Sequence, residues 1–221
     1  MENCIFCRDY KNGDKVFETE NFFVKVGIAI ICPGHVMIIT KNHCKCMGEF
    51  NQNWTKEFLY LKEKLTEFLT KYLYQPFILE NGAILQSVFH AHMHFIPRKS
   101  TEYKEVDFIK DKIGKFLEKN KDINFQQIKD FSEVQEIFKK DGQYLYFEQD
   151  KKTYVIRTIN HKDKIDIIKN GVDYRGFFSD IGIKGGIKDW KLMTKEDKII
   201  DKIKIEETRE LFKGFSDFYK A

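Results

Sequence analysis

Runs of β-forming residues and one helical repeat organise the first hundred residues of the chain. Four strands are predicted, at residues 16–31, 35–40, 77–80 and 89–96. From residue 52 to residue 72, apolar residues recur every three or four positions, which predicts a helix with one buried face. Pro33-Gly34 and Asn81-Gly82 supply turns. The pattern predicts an α+β fold in which helices cover an antiparallel sheet.

The second half of the chain carries further helix and strand patterns. The predicted elements are a helix at residues 106–117, a helix from Ser132 to about residue 140, a hairpin at residues 144–148 and 153–159, and a helix after Thr194. Ser132 and Thr194 each open a capping-box pattern. The last helix has an apolar side made of Leu211, Phe212, Phe215, Phe218 and Tyr219. We therefore expect a first domain over residues 1–105 and an α/β extension over residues 106–221 that packs on it.

Three histidines occupy alternate positions in the fourth predicted strand, at His90, His92 and His94. Side chains alternate between the two faces of a strand, so the three imidazoles are expected on one face. Ala91 and Met93 then point to the opposite face, toward a core. Imidazole binds metals, contacts phosphates and transfers protons near neutral pH. A row of three on one face therefore predicts a functional site.

The composition of the chain limits the classes of protein to which it can belong. Charged residues make up 33% of the 221 residues, but the net charge is only +4, which does not by itself indicate a nucleic-acid-binding surface. No apolar run approaches the roughly 20 residues of a membrane span, and the first residues lack the pattern of a secretory signal. The five cysteines include Cys4-x-x-Cys7, which indicates metal ligation or free thiols in a reducing, cytoplasmic setting.

Three segments of the first hundred residues resemble a known family. The signature of the histidine triad (HIT) nucleotide-binding family is similar to Gln86-Ser87-Val88-Phe89-His90-Ala91-His92-Met93-His94. Its Pro-x-His, apolar strand and Lys-x-His are similar to the segment from Cys32 to His43, and its zinc-containing members begin much like Cys4-Ile5-Phe6-Cys7. The resemblance implies a small antiparallel sheet with a nucleotide laid across one face. The extension only faintly resembles that of larger relatives, including a spliceosome-associated branch.

The resemblance also implies a structural zinc ion (Zn2+). Its ligands would be Cys4, Cys7, His43 and His90, a closed set of four that leaves no position for a substrate. The sequence permits a competing set, in which Cys44 and Cys46 replace the two histidines, because two cysteines at alternate positions of a strand point to one side. Metal-free thiols are the third possibility.

Within the triad, His92 is the predicted nucleophile. A neutral imidazole nitrogen can attack an α-phosphate and form a nucleotidyl-histidine intermediate, which water or another acceptor then releases. The resemblance implies that His94 contacts the phosphate and the leaving group. It also implies nucleotide contacts from three residues, Ser87, Gln86 and Asn81. A β-turn role accounts for Asn81 equally well, and His35 is interpreted as a structural histidine of the core.

Two classes of function follow. The first is an enzyme, a nucleotide hydrolase or nucleotidyl transferase acting on P–N or P–O–P bonds of a purine nucleotide or nucleotide conjugate, and the intact triad favours it. The second is a nucleotide- or RNA-binding accessory protein with little turnover, since the lysine-rich extension is compatible with phosphate contacts. Small members of the resembled family pair two copies across a sheet edge. The predicted hairpin can occupy that edge, so we expect a homodimer or a pseudo-dimeric monomer.

Overall fold

Eight strands form one sheet in the computed structural model, which describes residues 4–11, 15–27, 29–84, 86–97, 123–158 and 193–221. In chain order they are β1 Phe17–Glu18, β2 Phe22–Val26, β3 Val36–Thr40, β4 Pro76–Glu80, β5 His92–Pro97, β6 Ile123–Ile128, β7 Tyr144–Gln149 and β8 Lys152–Thr158. Their order across the sheet is β1-β2-β3-β5-β4-β7-β8-β6, and each neighbouring pair is antiparallel.

Six helical segments accompany the sheet in the described part of the chain. They are α1 Ile5–Lys11, a 3-10 turn Gln52–Trp54, α2 Thr55–Tyr72, α3 Ser132–Asp141, α4 Lys195–Phe212 and α5 Phe215–Lys220. The predicted α+β class, an antiparallel sheet with covering helices, is confirmed. None of the described helices is both long and apolar enough to cross a membrane. The helix predicted at residues 106–117 lies outside the described residues.

The two faces of the sheet have different partners. On one face, alternate strand residues such as Phe22 and Met93 join apolar residues of α2, α3 and α5 in the main core. On the other face, Phe23 and Met37 form a smaller cluster with Phe6 of α1. Because side chains alternate along β5, the neighbours of Met93 point to this second face, the one that α1 covers. The sheet thereby separates a purely structural face from the face that carries the histidines.

Strands from both halves of the chain belong to the same sheet. β4 pairs with β5 along one edge and with β7 along the other. Next to this junction, the Tyr144 hydroxyl donates to Glu80 Oε2 and accepts a hydrogen bond from the N–H of Gly48, 2.8 Å away. The hairpin of β7 and β8 therefore occupies an edge of β4 that would otherwise expose unpaired backbone groups. The division into domains near residue 105 stays a prediction.

Long-range contacts set several boundaries that local patterns missed. β5 begins at His92, three residues later than predicted. The preceding residues bond elsewhere, since His90 N–H donates to the carbonyl of Val88 and Ala91 N–H donates to the carbonyl of Cys44. β6 and α1 had no predicted counterpart, whereas α2 and the hairpin of β7 and β8 lie where the patterns placed them.

The two predicted capping boxes had different outcomes. Thr194 and Asp197 cap α4 reciprocally, because the Thr194 hydroxyl accepts from Asp197 N–H and the Asp197 carboxylate accepts from Thr194 N–H. The prediction for Ser132 was wrong, because Ser132 is already the first residue of α3 and its N–H and hydroxyl both donate to Asp130. Aspartate readily accepts from the backbone two residues later, and this local turn replaces the predicted cap.

Candidate functional site

Four potential metal ligands from distant parts of the chain converge beside the triad. Cys4 and Cys7 are three residues apart at the start of α1, so one helical turn presents both sulfurs on the same side. His90 Nδ1 lies 3.3 Å from Cys4 Sγ and 3.5 Å from Cys7 Sγ. His43 Nδ1 lies 3.5 Å from Cys7 Sγ. All four ligand atoms lie within 4.8 Å of one another, so the fold brings together the set that contains two histidines.

Thr40 decides which nitrogen of His90 faces the sulfurs. His90 Nε2 lies 2.7 Å from the Thr40 carbonyl oxygen, which can only accept, so Nε2 carries the proton. Nδ1 therefore keeps its lone pair and points toward Cys4 and Cys7. Burial lowers the pKa of His90 to about 4, against the opposing effect of the Thr40 hydrogen bond. A neutral ring with a carbonyl on the opposite nitrogen is the usual arrangement of a metal-binding histidine.

Cys44 and Cys46 do not join this cluster. Cys46 is completely buried in the main core, and Cys44 packs against the same core with its sulfur 3.5 Å from Thr40 Oγ1. Burial raises the pKa of Cys44 to about 11 and raises that of Cys46 further, which favours the neutral thiols. Metals bind the thiolate. Among the described residues, the potential metal group contains neither cysteine.

His92 has one ring nitrogen committed to the backbone. Its Nδ1 lies 2.6 Å from the carbonyl oxygen of His90 and therefore carries the proton, so Nε2 keeps the lone pair. The side chain is only 5% exposed, and the ring of Phe6 packs edge-on against it at 5.1 Å between centroids. Burial lowers the pKa of His92, which keeps the ring neutral at pH 7. A neutral imidazole in a fixed tautomer can attack without prior deprotonation.

His94 is held by His35, the predicted structural histidine of the core. Ile31 N–H donates to His35 Nδ1 across 3.1 Å, so neutral His35 carries its proton on Nε2. His35 Nε2 lies 3.0 Å from His94 Nδ1 and donates to it, which leaves the proton of His94 on Nε2. Nε2 of His92 therefore has a lone pair, whereas Nε2 of His94 carries a proton. The sequence signal for His35 was its position in the Pro-x-His segment. That segment does not show that His94 is the partner of His35 in the folded chain.

Two of the predicted nucleotide-binding residues, Asn81 and Ser87, lie in the segment between β4 and β5. The Asn81 carbonyl accepts from Ile84 N–H across 3.1 Å, so Asn81 begins the turn that the sequence predicted. Ser87 is exposed and lies three residues before His90. The nucleotide contacts of Asn81 and Ser87 stay predictions.

Gln86, the third predicted nucleotide contact, is buried next to the loop that carries His43. Its Nε2 donates to the carbonyl oxygen of Lys45 across 2.8 Å, and because that oxygen only accepts, the orientation of the amide is fixed. Its Oε1 is buried without a hydrogen-bond partner among the described residues. A buried acceptor of this kind is complementary to a hydrogen-bond donor.

Comparison with known proteins identifies a family. The model of the HIT domain family matches residues 9–101. "Protein hit" of Bacillus subtilis (strain 168) is 35% identical over 106 residues, which cover 44% of this chain and 72% of that protein. Adenosine 5'-monophosphoramidase hnt1 of Schizosaccharomyces pombe is 34% identical over 106 residues, which cover 46% of this chain and 78% of that protein.

Among solved structures, a Zn-bound histidine triad family protein from Mycobacterium smegmatis is similar with a TM-score of 0.41 and 22% identity, covering 46% of this chain and 78% of that protein. The sequence matches to the Bacillus and Schizosaccharomyces proteins exceed 30% identity and span more than two thirds of each relative. The predicted resemblance is confirmed, and the chain belongs to the HIT domain family.

Proposed function

We propose that this protein is a nucleotide hydrolase or nucleotidyl transferase that acts at an α-phosphate through a nucleotidyl-histidine intermediate on His92. The observation that carries the proposal is the hydrogen bond from His92 Nδ1 to the carbonyl oxygen of His90. It leaves the lone pair on Nε2, and burial lowers the pKa of the ring, so the nucleophile is present in its reactive form at neutral pH.

The chemistry takes two steps. In the first, the His92 Nε2 lone pair attacks the α-phosphorus and a P–N bond forms, while the bond to the leaving group breaks and the leaving atom keeps that electron pair and takes up one proton from water. In the second, a water oxygen attacks the same phosphorus, the bond to His92 breaks, and one proton is released. The N–H of His94, held on Nε2 by His35, donates a hydrogen bond to a phosphoryl oxygen or to the leaving atom.

The relatives suggest the substrate class. Two of them, from Schizosaccharomyces pombe and Candida albicans, bear the name adenosine 5'-monophosphoramidase. We therefore propose a purine nucleoside phosphoramidate, in which the leaving atom is nitrogen, as the first substrate to test. Ser87 is exposed just before the triad and supplies a hydroxyl donor for the phosphate. Oε1 of Gln86, which is buried without a partner among the described residues, accepts from a donor of the nucleotide.

The four-residue cluster fits a zinc ion. Zinc bonds of about 2.3 Å to sulfur and about 2.0–2.1 Å to nitrogen, at tetrahedral angles, place a sulfur and a nitrogen ligand about 3.6 Å apart. Three of the four separations between a cysteine sulfur and a histidine nitrogen are 3.3–3.5 Å, and all four ligand atoms lie within 4.8 Å of one another. Cys4, Cys7, His43 and His90 would hold the metal. Bound there, zinc would serve as a structural cross-link between α1 and the triad.

The test is hydrolysis of adenosine 5'-phosphoramidate by the wild type and by the His92→Ala variant. We expect the wild type to release AMP and the variant to lose turnover by several orders of magnitude, because the nucleophile is gone. The variant should still bind AMP in calorimetry. The matched control is His161→Ala, which removes a histidine outside the region matched by the family model.

Mass spectrometry of the wild-type enzyme, quenched during turnover without acid, should show one added nucleotidyl group. This group should be located on the peptide that contains His92. Retained turnover in His92→Ala would refute the assignment of the nucleophile. AMP binding without turnover of phosphoramidates or dinucleoside polyphosphates by the wild type would refute the enzymatic proposal and favour a binding protein.

A further inference from the structure

Helix α4, near the end of the chain, holds the loop that precedes β3. This loop, residues 29–35, receives two buried polar side chains from one side of the helix. The Asp201 carboxylate accepts from the N–H groups of Ala29 and Ile30, each across 2.8 Å. Thr208 Oγ1 accepts from Gly34 N–H, also across 2.8 Å. Asp201 is 7% exposed and Thr208 is completely buried, so water does not compete for these bonds.

The 29–35 loop depends on such support because its own backbone is strained. Ala29 has φ of +55°, in the left-handed region that side-chain-bearing residues rarely adopt. Gly34 has φ of +85°. The Asp201 carboxylate binds the N–H of the strained residue and of the residue that follows it. A charged acceptor with two backbone donors is a strong hydrogen-bond arrangement, and it offsets the unfavourable conformation of Ala29.

The same loop leads directly to the triad. Ile31, which follows the residues bound by Asp201, donates its N–H to His35 Nδ1. Its carbonyl oxygen lies 3.4 Å from the ammonium group of Lys204, which follows Asp201 by three residues in α4. His35 in turn donates to His94 Nδ1. An uninterrupted series of hydrogen bonds and adjacent backbone therefore runs from α4 to His94.

We propose that α4 is a positioning element of the active site. By holding the 29–35 loop through Asp201 and Thr208, it fixes the Ile31 N–H on His35, and His35 then keeps the proton of His94 on Nε2. Neither Asp201 nor Thr208 touches the reacting atoms. The effect on catalysis rests on the proposed nucleotidyl chemistry, whereas the effect on the His94 tautomer does not depend on it. The second half of the chain thereby contributes to the function of the first.

A purely structural role of α4 predicts different behaviour. The helix also contributes Phe212 to the main core, so its loss would destabilise the fold as a whole.

Single hydrogen-bond variants separate the two roles. Thr208→Val preserves shape and removes the acceptor of Gly34 N–H, and Thr208→Ser restores it. Asp201→Asn replaces one carboxylate oxygen by an NH2 group, which cannot accept a hydrogen bond from the backbone N–H that it faces. Glu207→Gln, on the exposed side of α4, is the control for loss of one negative charge.

The experiment uses full-length, zinc-loaded protein and two readouts. The first is steady-state hydrolysis of adenosine 5'-phosphoramidate, with kcat and KM measured separately. The second is nuclear magnetic resonance of the imidazole nitrogens without substrate, with the His94 signals assigned by their loss in His94→Asn. Circular dichroism and urea unfolding report whether each variant folds, and if Asp201→Asn does not fold, the Thr208 pair decides.

We expect the wild type and Glu207→Gln to show His94 protonated on Nε2 alone. Thr208→Val and Asp201→Asn should lower kcat at least tenfold, with KM within twofold, and should give His94 signals averaged between tautomers. Thr208→Ser should restore both. Wild-type kcat and wild-type His94 signals in both variants would overturn the proposal, as would a fall in kcat with unchanged His94 signals. If the wild type turns over no nucleotide, the proposed function fails, and the nitrogen spectra alone decide the proposal about α4.

Discussion

A buried glutamate at the junction of the two halves predicts an unusual dependence of stability on pH. Glu80 ends β4 and has no exposed surface. Its Oε1 accepts from Met47 N–H across 2.6 Å, and its Oε2 accepts from the Tyr144 hydroxyl across 2.5 Å. Burial raises the pKa of Glu80 from 4.5 to about 8, because the lost hydration outweighs these two hydrogen bonds.

The sign and size of the effect follow from this pKa. Between pH 4.5 and about 8, the unfolded chain has lost the proton of Glu80 while the native protein keeps it. The free energy of unfolding therefore falls as pH rises, by about 1.4 kcal/mol per pH unit. Over the whole interval the fall is about 5 kcal/mol, and it ends above the native pKa. Since domains are stabilised by only about 5–15 kcal/mol, this is a large share.

The assay is urea unfolding from pH 5 to pH 9 of the wild type and Glu80→Gln, at equal zinc loading. The side-chain amide of Glu80→Gln carries no charge at any pH, so this fall in stability should be absent from the variant. The free energy of unfolding of the variant minus that of the wild type should therefore increase with pH up to about 8 and then stay constant. Glu57→Gln is the matched control, since Glu57 also accepts two hydrogen bonds but remains partly exposed. Parallel stability curves for the wild type and Glu80→Gln would refute the reasoning.

Three further predictions follow from the site and the fold. Cys4→Ser should lower the zinc content from about one ion per chain, measured by elemental analysis, while Cys44→Ser should leave it unchanged; equal losses would contradict the assigned ligands. Gly34→Ala should destabilise the protein by about 2–4 kcal/mol in urea unfolding, because φ is +85° and the added Cβ would lie 2.3 Å from Leu73 Cδ1. Gly142→Ala, with φ of +72° and open space, should cost only about 1 kcal/mol, and equal costs would contradict the steric argument. Light scattering should give a monomer, since β7 already pairs with the edge of β4, and a dimer that survives dilution would contradict it.

The sequence alone specified the local features of the site. Alternation around His92 and His94 places both side chains on one face of a strand, and this depends only on the period of two in an extended backbone. The helical repeat of α2 and the capping box of Thr194 are equally local, and both are confirmed. Family resemblance added the identity of the site, because the spacing of the triad and of the Pro-x-His segment is visible in the chain.

Only the tertiary structure decided the protonation states of the triad and its connection to the second half. The proton of His90 depends on a carbonyl fifty residues away, and that of His94 depends on His35, fifty-nine residues away. Asp201 reaches the loop before β3 across more than 170 residues. Such contacts are absent from any local pattern, because they arise from strand register and from the packing of helices on the sheet. Hydrophobic periodicity predicts which face of an element is buried, but the partner that covers it is fixed only when the whole chain folds.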